Sequence, residues 1–363
     1  MDSALAQTIE RVRAAIADQT PLRIRGGGTK DFHGGRRLAG APLDTAPLAG
    51  VVSYEPSELV VTARAGTPLA ELEALLASQG QCLPFEPPHF GAGATVGGMV
   101  AAGLSGPARA SVGAVRDYML GVELLNGRAE LLRFGGQVMK NVAGYDVSRL
   151  MAGSWGTLGL VTEVSLKVLP VAPAEATLRF ECSQADALAR LNAWGGQPLP
   201  LNASCWVIDA GKGMLYLRLR GAIAAVEAAC RTLGGERLDS AQAAPDWQAC
   251  REQQLPWFAQ RANGHALWRL SVPDTAPVLD LPQGVGEPLV EWHGALRWVQ
   301  APPACGPALR AAALAVGGSA TLFRAAGAGG EGAVGVLEPA SPALAAIESR
   351  LRQAFDPAGI FRP

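Results

Sequence analysis

Histidine is scarce in this chain. Only His33, His89, His265 and His293 occur, and no two stand at the i, i+4 spacing of a helical metal pair. Six cysteines (Cys82, Cys182, Cys205, Cys230, Cys250, Cys305) are scattered with no C-x-x-C pair. That excludes an iron–sulfur cluster or structural zinc held by this chain alone, and the expected metal complement is none. Buried free thiols in a reducing cytosol are the default for such spacing. Charge of one sign is also missing: 31 basic residues face 32 acidic ones, a formal net charge of −1. No basic field is available for nucleic acid. Long apolar runs are absent, so nothing reaches the ~18 residues of a membrane span. Met1 to Asp18 has no secretory apolar core; it reads as an amphipathic helix with Ile9, Val12 and Ile16 on one face. No G-x-x-x-x-G-K-[ST] phosphate loop occurs. Ala152 stands where a G-x-S-x-G elbow needs glycine, so Ser154 is not a hydrolase nucleophile.

What is abundant is glycine, 44 of 363 residues, in a chain that is 49% hydrophobic and 17% charged. Length and composition predict two or three domains, on a prior of roughly 150 residues each, with a sizeable core. The most informative stretch is Arg23-Ile24-Arg25-Gly26-Gly27-Gly28-Thr29-Lys30-Asp31. A short strand runs into three glycines, which take positive φ without steric penalty. Consecutive amides there can turn inward as an anion-binding nest, flanked by Arg25 and Lys30. The plain alternative is a solvated glycine turn. A second glycine segment, Gly91 to Met99, favours the nest. Thr95 can cap a helix whose first turn carries Gly97 and Gly98, so an anion could approach its free amides. This segment follows a proline-rich loop and lacks the spacing and preceding strand of a Rossmann fingerprint.

Further along, Thr67-Pro68 is expected to start a helix, with Thr67 as N-cap and Leu69, Leu72, Leu75 and Leu76 on one face. Asn126-Gly127 signals a hairpin. Gly153-Ser154-Trp155-Gly156-Thr157-Leu158-Gly159 leads into a long strand, 160–169. Pro170 and Pro173 mark a domain boundary. Beyond them strands are expected at 176–182, 203–208, 215–219, 266–272, 291–299 and 320–323. Helices are expected at 185–194, 222–233, 307–315 and 342–354, with no internal repeat of 20–50 residues in evidence.

The ordered motifs R-G-G-G-T-K, G-A-T-V-G-G, the N-G hairpin, K-N-V-A-G-Y-D and G-S-W-G-T-L-G-L-V-T-E resemble the flavin domain of the vanillyl-alcohol oxidase/p-cresol methylhydroxylase (PCMH) type. The tail D-P-A-G-I-F is similar to the closing segment of flavin-linked 2-hydroxyacid oxidases in that superfamily. The phrases L-R-I-R-G-G-G-T-K-D-F, L-W-R-L-S-V-P and G-A-L-R-W resemble FAD-binding second subunits of bacterial glycolate oxidases. The resemblance implies an α+β chain: a two-subdomain PCMH-type FAD-binding domain over 1–172, then an α+β, ferredoxin-like cap over 173–363.

It also implies cofactor contacts. Arg25, Gly26, Gly27, Gly28, Thr29 and Lys30 would bind the FAD diphosphate, with Ala94, Thr95, Gly97 and Gly98 on its other side. Ser105, Gly106, Gly113, Arg116 and Asp117 match the segment closing over ribityl and isoalloxazine. Gly153, Ser154, Gly156, Leu158, Gly159 and Val161 match the segment near adenine and ribose. Some members attach flavin covalently through a histidine just after the cradle glycines. Here that place is Thr29, with His33 four residues on, so FAD is expected to be non-covalent.

Larger flavin subunits of the superfamily carry a histidine-rich, metal-binding segment with a catalytic base; no H-E-G-D-G or H-H-G pattern occurs here. Alcohol oxidation needs a base for the hydroxyl proton. The expected role is therefore an FAD-bearing subunit beside a larger flavoprotein subunit and an iron–sulfur subunit feeding quinone. The substrate would be a small 2-hydroxy acid, glycolate or D-lactate. The expected location is cytoplasmic, or peripheral on the inner face of the membrane through those partners. A self-sufficient dehydrogenase is the alternative, with Arg269 or Arg297 clamping a carboxylate and His293 as base. A flavin-free assembly module is a third reading, against which the intact cradle argues. Lys140 and Tyr145 are further flavin-contact candidates. Trp247 and Trp257 are expected to be core or a partner surface.

Overall fold

The structure, a computed structural model, describes residues 3–33, 39–136, 145–327 and 342–362. Lys140 lies outside them. The first domain contains β1 (Leu22–Arg25), β2 (Ala41–Asp44), β3 (Val51–Glu55), β4 (Val60–Arg64), β5 (Gln81–Cys82), β6 (Met119–Leu125), β7 (Leu131–Gly135), β8 (Leu160–Lys167) and β9 (Leu169–Pro170). β1 and β2 pair in parallel. A five-stranded antiparallel sheet runs β3–β4–β8–β6–β7. β8 alternates little because both its faces are covered, with six of its eight residues buried.

Helix Leu69–Ser78 buries Leu69, Leu72 and Leu76 against this sheet. Its cap position is Pro68, one residue later than expected. The Thr67 hydroxyl is used elsewhere, accepting from Gly50 N at 3.0 Å and donating to Gly50 O at 3.1 Å. At the hairpin, Asn126 Oδ1 accepts from the amides of Arg128 and Glu130. The connection is longer than a two-residue turn because Gly127 N donates to Phe355 O in the chain's tail.

The cap is one eight-stranded antiparallel sheet with the order β13–β10–β12–β11–β15–β16–β14–β17. Its strands are β10 (Ala174–Glu181), β11 (Leu201–Asp209), β12 (Lys212–Gly221), β13 (Glu236–Leu238), β14 (Ala266–Ser271), β15 (Leu289–Glu291), β16 (Leu296–Ala301) and β17 (Ser319–Arg324). With helices Gln184–Gly195 and Ile223–Leu233, the first four strands make a βαββαβ unit of the ferredoxin-like kind. β14–β17 repeat the same strand order, joined to the first unit through β11–β15. The repeat is structural only: the second unit keeps helix Gly306–Ala315 but has no helix between β14 and β15.

Two expectations are corrected. A single strand over 291–299 breaks into β15 and β16, because Trp292 (φ 53°), His293 (φ 56°) and Gly294 (φ 103°) turn the chain left-handed. The tail, expected within the cap, returns to the first domain. Leu22 N donates to Ile360 O, Ile360 and Phe361 join the core of Ile9 and Val12, and Leu351 and Phe355 pack on the first core. We therefore propose that 342–362 belong with the first domain and 173–327 form the cap.

Candidate functional site

The cradle and the second glycine segment meet back to back. A Cβ placed on Gly27 would lie 1.6 Å from Gly93 O, and one on Gly26 would overlap Thr95 Oγ1. These glycines are thus needed first for loop-on-loop contact. The approach leaves the amides of Gly26, Gly27, Gly28, Thr29 and Lys30 without a hydrogen-bond acceptor among the described residues. Five successive free donors beside an open cleft of about 1050 Å³ form the anion nest expected from the sequence.

The helix terminus is a correction. In Val96–Ala102 the amide of Val96 donates to Thr67 O, Gly97 to Ala65 O, Gly98 to Thr95 Oγ1 and Met99 to Thr95 O. None of its first-turn amides is free for an anion. Gly97 is glycine because its α-carbon presses on Ala65, where a Cβ would sit 2.6 Å from the Ala65 Cβ.

Thr95, Gly97, Gly98, Ser154, Gly156, Gly159 and Val161 line the cleft together with the whole cradle from Arg25 to Lys30. Ala94 and Leu158 are instead buried in the first core. Gly153 turns the chain at φ 86° and donates its amide to Val100 O. Asp117 accepts from Ala114 N at 2.8 Å as a helix cap, Gly113 packs on it, and Arg116 is exposed. Tyr145 is 97% exposed. Arg23, His33, Thr45 and Trp155, which the sequence did not assign as cofactor contacts, are also on the cleft wall. The Arg23 Nε is buried with no partner, a donor waiting for an acceptor. His33 stacks on Trp155 with ring centres 4.1 Å apart, a pairing no local pattern announces.

Charges around the cradle are tuned. Arg25 Nε donates to Asp31 Oδ2 at 3.0 Å. Lys30 Nζ donates to His89 O at 3.2 Å, and burial lowers its pKa to about 8 against the opposing pull of Glu252. Lys30 also lies 5.6 Å from the centre of the Phe90 ring. Phe90 lines a second pocket, of about 370 Å³, between the first domain and the cap. Ser105 and Gly106 are here rather than on the cleft, and Trp292 Nε1 donates to Gly106 O at 2.9 Å.

The cap candidates separate in this setting. Arg297 is fully buried and donates to the carbonyls of Ala276, Pro277 and Gly294, so it is a structural clasp and not a clamp. His293 is held at both ring nitrogens, Nδ1 by Ser204 Oγ (3.1 Å) and Nε2 by Ser111 Oγ (3.0 Å). Burial lowers its pKa to about 4, leaving a neutral ring with no free nitrogen for a substrate proton. Arg269 alone reaches the second pocket.

The model of the FAD binding domain family matches residues 4–135. The glycolate oxidase subunit GlcE of Escherichia coli is 47% identical over 98% of this chain and 95% of its own length. This chain belongs to the GlcE family of glycolate oxidase subunits. A glycolate oxidase subunit GlcD of Bacillus subtilis is 30% identical over 47% of this chain and 37% of its own length. A D-2-hydroxyglutarate dehydrogenase of Xanthomonas citri is 25% identical over 74% of this chain and 59% of its own length. The fold is shared with a solved alkyldihydroxyacetonephosphate synthase, at a TM-score of 0.66 and 15% identity over 98% of this chain and 74% of the other. This GlcE-family chain is thus an FAD-binding oxidoreductase component with the PCMH-type fold. The donor set fits the cofactor: a diphosphate is anionic, and five free amides, Arg23 and Lys30 converge on one cleft.

Proposed function

We propose that this chain is the FAD-bearing subunit of a hetero-oligomeric glycolate oxidase, holding its flavin non-covalently. The run of unbonded amides from Gly26 to Lys30 carries the reading. They would take the diphosphate, with Gly26 and Gly27 letting the second glycine segment close directly behind the cradle. Bound FAD supplies the hydride- and electron-accepting chemistry. The chain's own residues fix the cofactor and shield it from water. Thr29 stands where covalent relatives have histidine, and His33 is engaged with Trp155, which supports non-covalent attachment. Of the other expected contacts, Ser105 and Gly106 line the second pocket, and Ala94, Gly113, Arg116, Asp117, Gly153 and Leu158 do not line the cleft.

Among the described residues the carboxylate beside Arg269, Glu291, has its oxygens taken by Trp298 and Cys250, which favours a subunit that shares chemistry with partners over a self-sufficient dehydrogenase. Those partners are a larger flavoprotein subunit and an iron–sulfur subunit at the cytoplasmic face of the membrane. The substrate is glycolate or D-lactate. The test is co-purification from a native host followed by acid precipitation. The expected result is a yellow supernatant, iron–sulfur absorbance in the complex, and glycolate turnover only with partners present. A colourless chain that FAD cannot reconstitute would overturn the reading.

A further inference from the structure

The cap has a cleft of its own, of about 880 Å³, bounded by helix Ser240–Arg251, strands β11 and β12, and the segment 255–257. Tyr216, Trp247 and Trp257 put three aromatic rings on its wall, and among the described residues no lysine, arginine or histidine lines it. The donors of all three rings are spent inside the protein. Tyr216 OH donates to Asp209 Oδ2 at 2.6 Å, Trp247 Nε1 to Thr177 Oγ1 at 2.9 Å, and Trp257 Nε1 to Glu287 O at 3.2 Å. Cys250 Sγ, also on the wall, donates to Glu291 Oε1 at 3.2 Å. What remains for a ligand is ring faces and the carboxylate oxygens of Asp209 and Asp246. The Asp246 carboxylate makes no hydrogen bond or ion pair among the described residues.

The cations nearby are already matched. Arg179, opposite Tyr216 on the neighbouring strand, pairs with Glu236 at 3.0 Å. Lys212, opposite Asp209, pairs with Glu181 at 2.7 Å. Arg218 pairs with Glu86 and lies 4.9 Å from the centre of the Trp247 ring, which leaves Tyr216 and Trp257 as the rings for a ligand. Ring faces beside an unmatched carboxylate attract an organic cation and repel an anion.

We propose that this cleft binds a small organic cation of the alkylammonium class, its charge held by the ring faces of Tyr216 and Trp257 and by the Asp246 carboxylate. Val207, Leu238 and Leu255 offer apolar contact to its carbon groups. The cleft shares only Cys250 with the pocket between the domains and no residue with the cradle cleft. The site therefore goes beyond the flavin reading and does not need the cofactor.

The test is calorimetric titration of the purified full chain with choline chloride at fixed ionic strength. The controls are 3,3-dimethyl-1-butanol, which has the same shape without the charge, and the 3,3-dimethylbutyrate anion. Saturable choline binding is expected, with the alcohol roughly tenfold weaker and no saturable binding of the anion. Trp257→Leu and Asp246→Asn should each weaken choline binding roughly fivefold. Asp246 is exposed on its helix, so Asp246→Asn reads the site even if Trp257→Leu fails to fold. Melting temperature and flavin content are followed on each variant, so a failed cradle and a failed cap cleft are told apart. Absence of saturable choline binding to the wild-type chain overturns the proposal. So does the alcohol or the anion binding as tightly as choline, or undiminished binding by a folded variant.

Discussion

Gly27→Ala is the sharpest perturbation of the cradle. The added Cβ would start 1.6 Å from Gly93 O, whereas real Cβ atoms essentially never come within 3.0 Å of such an atom. The two loops must part by at least 1.4 Å, the difference of those distances, and both are backbone, so no rotamer can relieve the clash. Overpacking of this kind costs about 1–3 kcal/mol, and displacement of the five amides acts directly on the diphosphate. A loss of that size weakens FAD binding by roughly five- to more than a hundredfold. The assay is flavin retained after desalting, and FAD affinity by fluorescence quenching. Gly195→Ala is the control, since nothing lies within 4 Å of its Cβ and its φ is ordinary. If Gly27→Ala retains flavin as the control does, the loops are not pinned together and the geometry of the nest is wrong.

Two further outcomes are expected. Arg218 donates to both oxygens of Glu86 at 2.7 Å with only 3% of its side chain exposed, and Arg218→Met leaves that carboxylate the longer Arg220 contact at 3.2 Å and the amide of Ala108. The stability loss in urea unfolding should be about 1–3 kcal/mol, below that of a fully orphaned charge, and a cycle with Glu86→Gln should show coupling. Glu291 titrates near pH 7 in the folded state against 4.5 as its reference, so folding gains from its proton below 4.5 and loses that gain as pH rises through 7. The stability of Glu291→Gln relative to wild type should therefore climb by about 1.4 kcal/mol per pH unit between those values and then level off. A flat difference across that range would show that Glu291 is not held neutral by burial.

The sequence reading succeeded where the signal is local. Three glycines after a strand, Asn126-Gly127, and the leucines of Leu69–Ser78 each determine a backbone conformation or a buried face within a few residues. It failed where a group's partner lies far along the chain. The Thr95 cap on Gly98 N was legible, but the amide of Gly97 looked free because Ala65 O is brought to it only by the fold. Arg297 looked like a clamp because the carbonyls of Ala276 and Pro277, about twenty residues earlier, are invisible to local pattern. The doubled strand order of the cap was hidden because backbone pairing, not residue identity, repeats. Trp247 was read as core or partner surface; it is buried, and its Nε1 donates to Thr177 Oγ1 at 2.9 Å.

The proline-rich loop ahead of the second glycine segment is moulded by a side chain far away in sequence. Glu252, in the cap, accepts from the amides of His89 and Phe90, and His89 O in turn receives Lys30 Nζ from the cradle. One carboxylate of the distal half thereby governs the rim of the dinucleotide cleft. An excised N-terminal half would carry every cradle residue and still hold its cofactor slackly, so cofactor retention reports on whether both halves of the molecule are intact.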